Sequence, residues 1–260
     1  MGTTFDAVGF SIADDEAYNQ LAEHAGEMGS RSTIYRRGAR LHGCCFKLGQ
    51  GLEIWTVLYE SEQGLFYADC RPAFRPDHIT ILSPWELTEY DEDGEAVVRG
   101  FVEGTQSEIV FELQNLTELD TALFRRQQLS VALAGLGYSA HTCARRLPGR
   151  FLLTEKAVRQ RQSCENDYTL RGRVLSCRYI KNPMTNSQLL WAYLDTGSVK
   201  LEVVVNANDV RGEVKLGGVI SASVWLQGYI FDDDAIAARY EGVDRTFQQI
   251  DFWASLRREN

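Results

Sequence analysis

Residues 168–230 read YTLRGRVLSCRYIKNPMTNSQLLWAYLDTGSVKLEVVVNANDVRGEVKLGGVISASVWLQGYI, and this stretch decides the fold. In Tyr168–Tyr179 Leu170, Val174 and Ser176 fall on one face, and Arg171, Arg173 and Cys177 on the other. That period of two predicts a strand, and Gly172 inside it predicts a bend or bulge. Lys181–Asn186 carries Pro183 between two asparagines, which is turn chemistry. Gln188–Asp195 and Val199–Val205 are two further strands joined by a tight turn at Thr196-Gly197, so they form a hairpin. Residues 208–218 are polar and glycine-rich, and Val219–Ile230 is a long fourth strand with Ile220, Ala222, Val224 and Leu226 as its inner face.

A long bent strand, a hairpin, a polar connection and another long strand resemble an oligonucleotide/oligosaccharide-binding (OB) barrel. The residues that carry the resemblance are Arg171-Gly172-Arg173-Val174, Leu194-Asp195-Thr196-Gly197 leading into Leu201–Val205, and Leu216-Gly217-Gly218-Val219-Ile220. The resemblance implies a small closed barrel filled by side chains such as Val174, Val203 and Leu226. No helix is visible between the third and fourth strands, and no fifth strand follows Ile230. The barrel is therefore either incomplete or closed by a strand from the N-terminal part.

The 260 residues carry a net charge of −9, which argues against a dedicated nucleic-acid binder, because phosphate contacts need clustered lysine and arginine. Within 168–230 the balance reverses, with basic residues outnumbering acidic ones, so a mildly basic barrel sits on an acidic body. The opening MGTTFDAVGF has no basic segment followed by an apolar core, and no apolar run is long enough to span a membrane. Cys44, Cys45, Cys70, Cys143, Cys164 and Cys177 lack a disulfide-framework spacing and read as reduced thiols. The expectation is a cytoplasmic protein with no membrane association.

Taken in order, Thr4–Ile12 alternates like a strand. Asp14 and Asp15 cap a helix carrying Ala17, Leu21, Ala25 and Met28 at helical spacing, and Gly29 closes it. Strands are expected at 32–37, 39–48, 52–60, 65–74, 79–89, 96–103 and 108–113, with Pro84 marking an edge or bulge. Asn115–Ala122 reads as a short helix. Residues 127–145 are ambiguous: Leu129, Val131 and Leu133 alternate, while Gly135 and Gly137 break any helix. No internal repeat stands out. Asp232–Tyr240 reads as a capped helix, with Phe252 and Trp253 packing beyond it.

The fold class expected is therefore α+β and mostly β. Residues 1–150 form an antiparallel-sheet domain with one helix near its start, 151–167 a linker, and 168–260 an OB-like barrel with a tail. Three further patterns resemble a family of uncharacterised bacterial cytoplasmic proteins: Val8-Gly9-Phe10 before Asp14-Asp15-Glu16; Gly51-Leu52-Glu53-Ile54-Trp55; and Asn182-Pro183-Met184-Thr185 leading to Leu190-Trp191-Ala192 and Trp225-Leu226-Gln227-Gly228. That resemblance implies a fold and no activity.

Catalytic chemistry finds little purchase. His42 and Cys44 share one face of a strand and, with Cys70 on another strand, suggest zinc, but Cys45 points away from His42 and Cys44, no C-x-x-C pair exists, and buried small residues on a sheet explain them. The opening strand–helix–strands pattern resembles one module of glyoxalase-like metalloenzymes, yet Phe5–Ile12 offers no ligand and Glu53 has no visible partner. Neither a phosphate-binding loop nor a nucleophile elbow is present, and the four histidines are scattered. No catalytic set, metal site or cofactor is expected. The best lead is the set Arg171, Arg173, Arg178, Trp191, Tyr193, Lys200, Trp225 and Tyr229 on the barrel. Aromatics beside cations suit stacking of bases or sugars, but they equally suit an interface. Three functions follow: a non-enzymatic interaction or scaffold protein whose barrel docks a protein partner, a second copy or its own N-terminal domain; a weak single-strand nucleic-acid or sugar binder; or an enzyme with a dispersed site.

Overall fold

Alternating sequence becomes strand along most of the chain, and the protein is α+β and mostly β. The computed structural model describes residues 3–36, 39–62, 64–90, 94–120, 125–144, 147–155, 157, 166–231 and 239–242. The helix α2 (Asp15–Met28) begins where its cap predicts, with Asp14 Oδ1 accepting from Ala17 N at 2.9 Å. A cap of this kind is worth about 1 kcal/mol. The opening differs from expectation. Thr4–Ile12 is no strand, because Thr3 and Asp6 close a reciprocal capping box that winds Thr4–Ala7 into the single turn α1. Gly9 then turns the chain with φ of +90°.

The strands β1 (Ser30–Arg36), β2 (Ala39–Gly49), β3 (Leu52–Ser61) and β4 (Gly64–Phe74) form an antiparallel meander, and β15 (Arg239–Gly242) adds to the free edge of β1. The apolar side of α2 (Leu21, Ala22, Ala25) lies on β2 and β3. Residues 232–238 and 247–256, where a tail helix and the packing of Phe252 and Trp253 were expected, lie outside the described residues, as does Cys164. Arg239 and Tyr240 belong to a strand.

The second sheet holds β5 (Ile79–Tyr90), β6 (Glu95–Val102), β7 (Glu108–Leu113), β8 (Leu129–Cys143), β9 (Arg150–Leu153), β10 (Asp167–Lys181), β11 (Gln188–Asp195), β12 (Lys200–Asn206), β13 (Val210–Arg211) and β14 (Val219–Ile230). The ambiguous 127–145 segment is thus strand, and β9 occupies the start of the expected linker. Asn115–Ala122 supplies one 3-10 turn at Leu116–Glu118, and 121–124 lie outside the described residues.

This sheet closes on itself. β10 pairs with β11, β11 with β12, β12 in parallel with β8, β8 with β14, and β14 with β10. The barrel in 168–230 is therefore completed by a strand from before residue 150. Val174, Val203 and Leu226 are buried inside it, as their alternation predicts.

A second ring of the same order lies beside the first. β5 pairs with β6, β6 with β7, β7 in parallel with β14, β14 with β8, and β8 with β5. The strands β8 and β14 are common to both rings, each closing the barrel begun by the other's partners. The correspondence extends to register. The β5–β6 ladder runs Ser83↔Phe101, Pro84↔Gly100, skips Trp85 and resumes at Glu86↔Arg99. The β10–β11 ladder runs Arg173↔Asp195, Val174↔Leu194, skips Leu175 and resumes at Ser176↔Tyr193. Each third strand runs into a 3-10 turn, Leu116–Glu118 after β7 and Ala207–Asp209 after β12. The two rings thus repeat one strand order and one bulge position, a repeat that does not stand out in the sequence. The bulge expected at Gly172 falls two residues later, between Val174 and Ser176. Pro84 borders the other, as a strand proline must.

The first sheet covers the outside of the rings. Leu52, Ile54, Cys70 and Phe74 pack with Ala134, Leu136 and Val204. Across the same seam Gln227 Nε2 donates to Pro72 O at 2.7 Å. Arg71, fully enclosed, lies 3.3 Å from Glu112, 3.6 Å from Asp69 and 3.8 Å from Glu95, and donates to Gly94 O.

Candidate binding face

The outer side of β11 and β12 gathers part of the aromatic set. Trp191 is only 6 % exposed and joins a cluster with Val204, Leu136 and Ala134, while Tyr193 and Trp225 pack half-buried against it. Beneath the rings lies Glu202, a buried carboxylate on β12. Its Oε2 accepts from Trp191 Nε1 at 2.6 Å. Its Oε1 takes the main-chain N–H groups of Asp77 at 2.7 Å and His78 at 3.0 Å, and also meets His78 Nδ1 at 2.7 Å. A carboxylate with this many donors is anchored, and it ties the β4–β5 connection to the far barrel. The His78 ring stacks on Tyr193 at 3.7 Å, and the Arg178 guanidinium lies 4.6 Å from the Trp191 ring centre. Burial, with Glu202 and Asp195 adding to it, raises the Tyr193 phenol above its ordinary pKa.

Over this face lies the N-terminal arm, residues 3–10. Ala7, Val8 and Phe10 are buried in the Trp191 cluster. The barrel holds the arm by its main-chain oxygens: Asn206 Nδ2 donates to Asp6 O at 3.2 Å, and Asn182 Nδ2 to Val8 O at 2.7 Å. Thr185 Oγ1 and Ser187 Oγ donate to Gly9 O at 2.8 and 3.0 Å. Asn182 is itself fixed, since its Oδ1 accepts from Met184 N and Thr185 N. The turn residues 182–187 are thus a preformed row of carbonyl-binding donors. A Cβ on Gly9 would stand 2.9 Å from Ser187 Cβ, so the arm requires glycine there for both space and φ.

The remaining members of the expected surface lie elsewhere. Arg173 and Lys200 are exposed beside the β11–β12 turn, with Arg173 3.6 Å from Asp195. Arg171 is half-buried, and its Nε has no hydrogen-bond partner. Tyr229 is wholly buried. Its hydroxyl donates to Glu53 Oε2 at 2.5 Å, Trp55 Nε1 donates to that Oε2 and to the Tyr229 hydroxyl oxygen, each at 3.0 Å, and Arg75 Nε reaches Glu53 Oε1 at 2.8 Å. Glu53, for which the sequence shows no partner, is therefore the centre of a knot between the two sheets. Burial, then the neighbouring Glu53, push the Tyr229 phenol far up.

His42 bridges Thr33 and Glu60. Burial pushes Cys45 up, and it raises Cys70 to about 12, so neither thiol is activated. Among the described residues no three His, Cys, Asp or Glu side chains are grouped to hold a metal, and no helix is long and apolar enough to cross a membrane. His78, Glu202, Asn206 and the arm itself escaped the sequence reading. Their signal is three-dimensional: Glu202 stands between the apolar Leu201 and Val203 in a strand that also carries Lys200 and Asn206, and Asn182-Pro183-Met184-Thr185 shows in the sequence as a turn and a family pattern, not as a set of donors.

A family model described as "Domain of unknown function, E. rectale Gene description (DUF3881)" matches residues 161–228. The match takes in β10 to β13 and most of β14 but not β8, the strand that closes their ring. No curated protein and no solved structure matches the chain.

Proposed function

We propose that the protein is a non-enzymatic interaction scaffold built on paired OB-type barrels, and that the outer face of β11 and β12 is its docking surface. One observation carries this reading. The aromatic strip of that face is already occupied by a peptide, the chain's own arm, through three main-chain carbonyls and apolar contacts. A surface that reads main-chain oxygens and apolar side chains suits a polypeptide better than a phosphate backbone. The order of strands within each ring is that of the five-stranded OB barrel, which supports the family reading. The source named in the matched family description and the reduced cysteines fit a bacterial, cytoplasmic protein.

Placing a photo-crosslinking side chain at Tyr193 in the full chain should trap a discrete protein species in cells. Absence of any such species, with the variant folded, defeats the reading. In parallel, a labelled single-stranded oligonucleotide should show no change in anisotropy at low salt. Micromolar binding that weakens steeply with added salt would favour a nucleic-acid function instead.

A further inference from the structure

We infer that the outer side of the barrel around β9 and the first half of β10 is a second binding surface, and that its ligand is a short acidic segment of polypeptide. This surface is separate from the arm-covered face of β11 and β12 and does not depend on it.

The surface is assembled by strand register. Arg171 on β10 stands opposite Arg150 on β9 and opposite Ser221 on β14. Ser221 stands opposite His141 on β8, and His141 is paired in turn with Arg211 on β13. Five strands thus bring these residues, distant in sequence, into one transverse row, about 19 Å long at about 4.8 Å per strand. The row faces outward, because the residues that alternate with it, Leu170, Ile220, Ala222 and Ala140, are buried inside the barrel. Arg150, His141 and Arg211 are exposed, and Arg171 is half-buried.

Among the described residues no carboxylate pairs with Arg150, Arg171, His141 or Arg211, although in the next row Arg173 lies 3.6 Å from Asp195. Arg150 and Arg171 are like charges set directly opposite each other, which weakens a sheet. Arg171 Nε is enclosed without an acceptor, which is also unfavourable. The chain carries 36 Asp and Glu against 27 Lys and Arg, so acidic partners are not scarce, and this row does without them. A carboxylate set between the guanidinium groups relieves the repulsion and makes charge-assisted hydrogen bonds, as arginine clusters do with acidic motifs. The neighbouring row carries Leu152, Thr169, Ser223 and Ser139, which are apolar and hydroxyl side chains suited to a peptide. None of them offers a ring on which a base could stack. One row further stands Asp167, which repels a polyanion that runs past the patch. The length of the row matches about six extended residues at about 3.3 Å each. Arginines in a short row, hydroxyls beside them and no stacking face fit an acidic peptide rather than a nucleic-acid strand.

The test uses the full chain and two labelled probes of similar charge, a hexaglutamate peptide and a single-stranded hexanucleotide. At low salt the peptide should raise its fluorescence anisotropy on titration and the oligonucleotide should not. Arg150→Glu and Arg211→Glu change exposed side chains and should each weaken peptide binding by about tenfold or more. Lys47→Glu makes the same charge change at an exposed position on the first sheet and should leave binding unaltered. Three results overturn the inference: no binding of the peptide, equal loss with Lys47→Glu, or an oligonucleotide that binds as tightly as the peptide. The Tyr193 probe reports on the other face, so capture there with no peptide binding here defeats this inference and leaves the docking reading standing. Peptide binding here with nothing captured there does the reverse.

Discussion

Gly9 shows what a single residue contributes here. Its φ of +90° and the 2.9 Å approach to Ser187 leave no room for a side chain. Gly9→Ala should cost about 1–3 kcal/mol in urea unfolding, through backbone strain and crowding, and should unseat the arm, visible as increased Trp191 emission quenching. In sequence the same glycine looks like one position of an alternating strand, because nothing local reveals Ser187. Glu112 makes a second residue-scale case. Burial lifts its carboxyl well above the usual range; Arg71 opposes this, but that guanidinium is divided among three carboxylates. A raised carboxyl binds its proton more tightly in the folded state. Its stabilising effect is thus complete below the ordinary value of 4.5 and is lost as pH rises towards the folded value. Glu112→Gln should therefore match the wild type in acid, unfold at a higher urea concentration above neutrality, and flatten the stability–pH curve. Arg71→Met should instead destabilise at neutral pH, by about 3–5 kcal/mol, because it removes the cation facing the buried Glu112 carboxyl.

Among the elements, β8 and β14 carry the design. Each contains a glycine where it passes its parallel neighbour. A Cβ on Gly137 would meet Val205 Cγ2 at 2.4 Å, and one on Gly228 would meet the Phe111 ring at 2.3 Å. Gly137→Ala and Gly228→Ala should each destabilise by about 1–3 kcal/mol from overpacking. Gly228→Ala should be the worse, since a flat ring edge yields less than a methyl group; paired urea titrations would decide. Gly137 and its neighbour Gly135 are why residues 127–145 are hard to read from sequence: they weaken the pattern in the segment that closes both rings. The alternation of Leu129, Val131 and Leu133 is sound, and a register shift between Ser223 and Val224 opposite Tyr138 lets Ala140 face the core as well. The hairpins are legible because their turns lie within a few residues. Ring closure is not, because β12 pairs with a strand that precedes it by more than sixty residues.

For the molecule as a whole, the boundary placed at 151–167 has pairing running across it in space. The fragment 168–230 lacks β8 and should give the spectrum of an unfolded chain, whereas 77–231, which retains both rings, should unfold cooperatively in urea. Circular dichroism of the two fragments checks this directly. Fold class and the barrel's filling, including Val174, Val203 and Leu226, follow from periodicity alone. The repeated ring and the arm's seat do not, since they depend on which strands meet.

Two staves held in common also constrain how this chain tolerates change. A side chain on residues 131–137 or 224–230 has two neighbourhoods to satisfy at once, so a substitution that suits one barrel still has to suit the other. Saturation mutagenesis should find these two segments the least permissive in the chain, and repair of a defect in one should come from residues lining its twin.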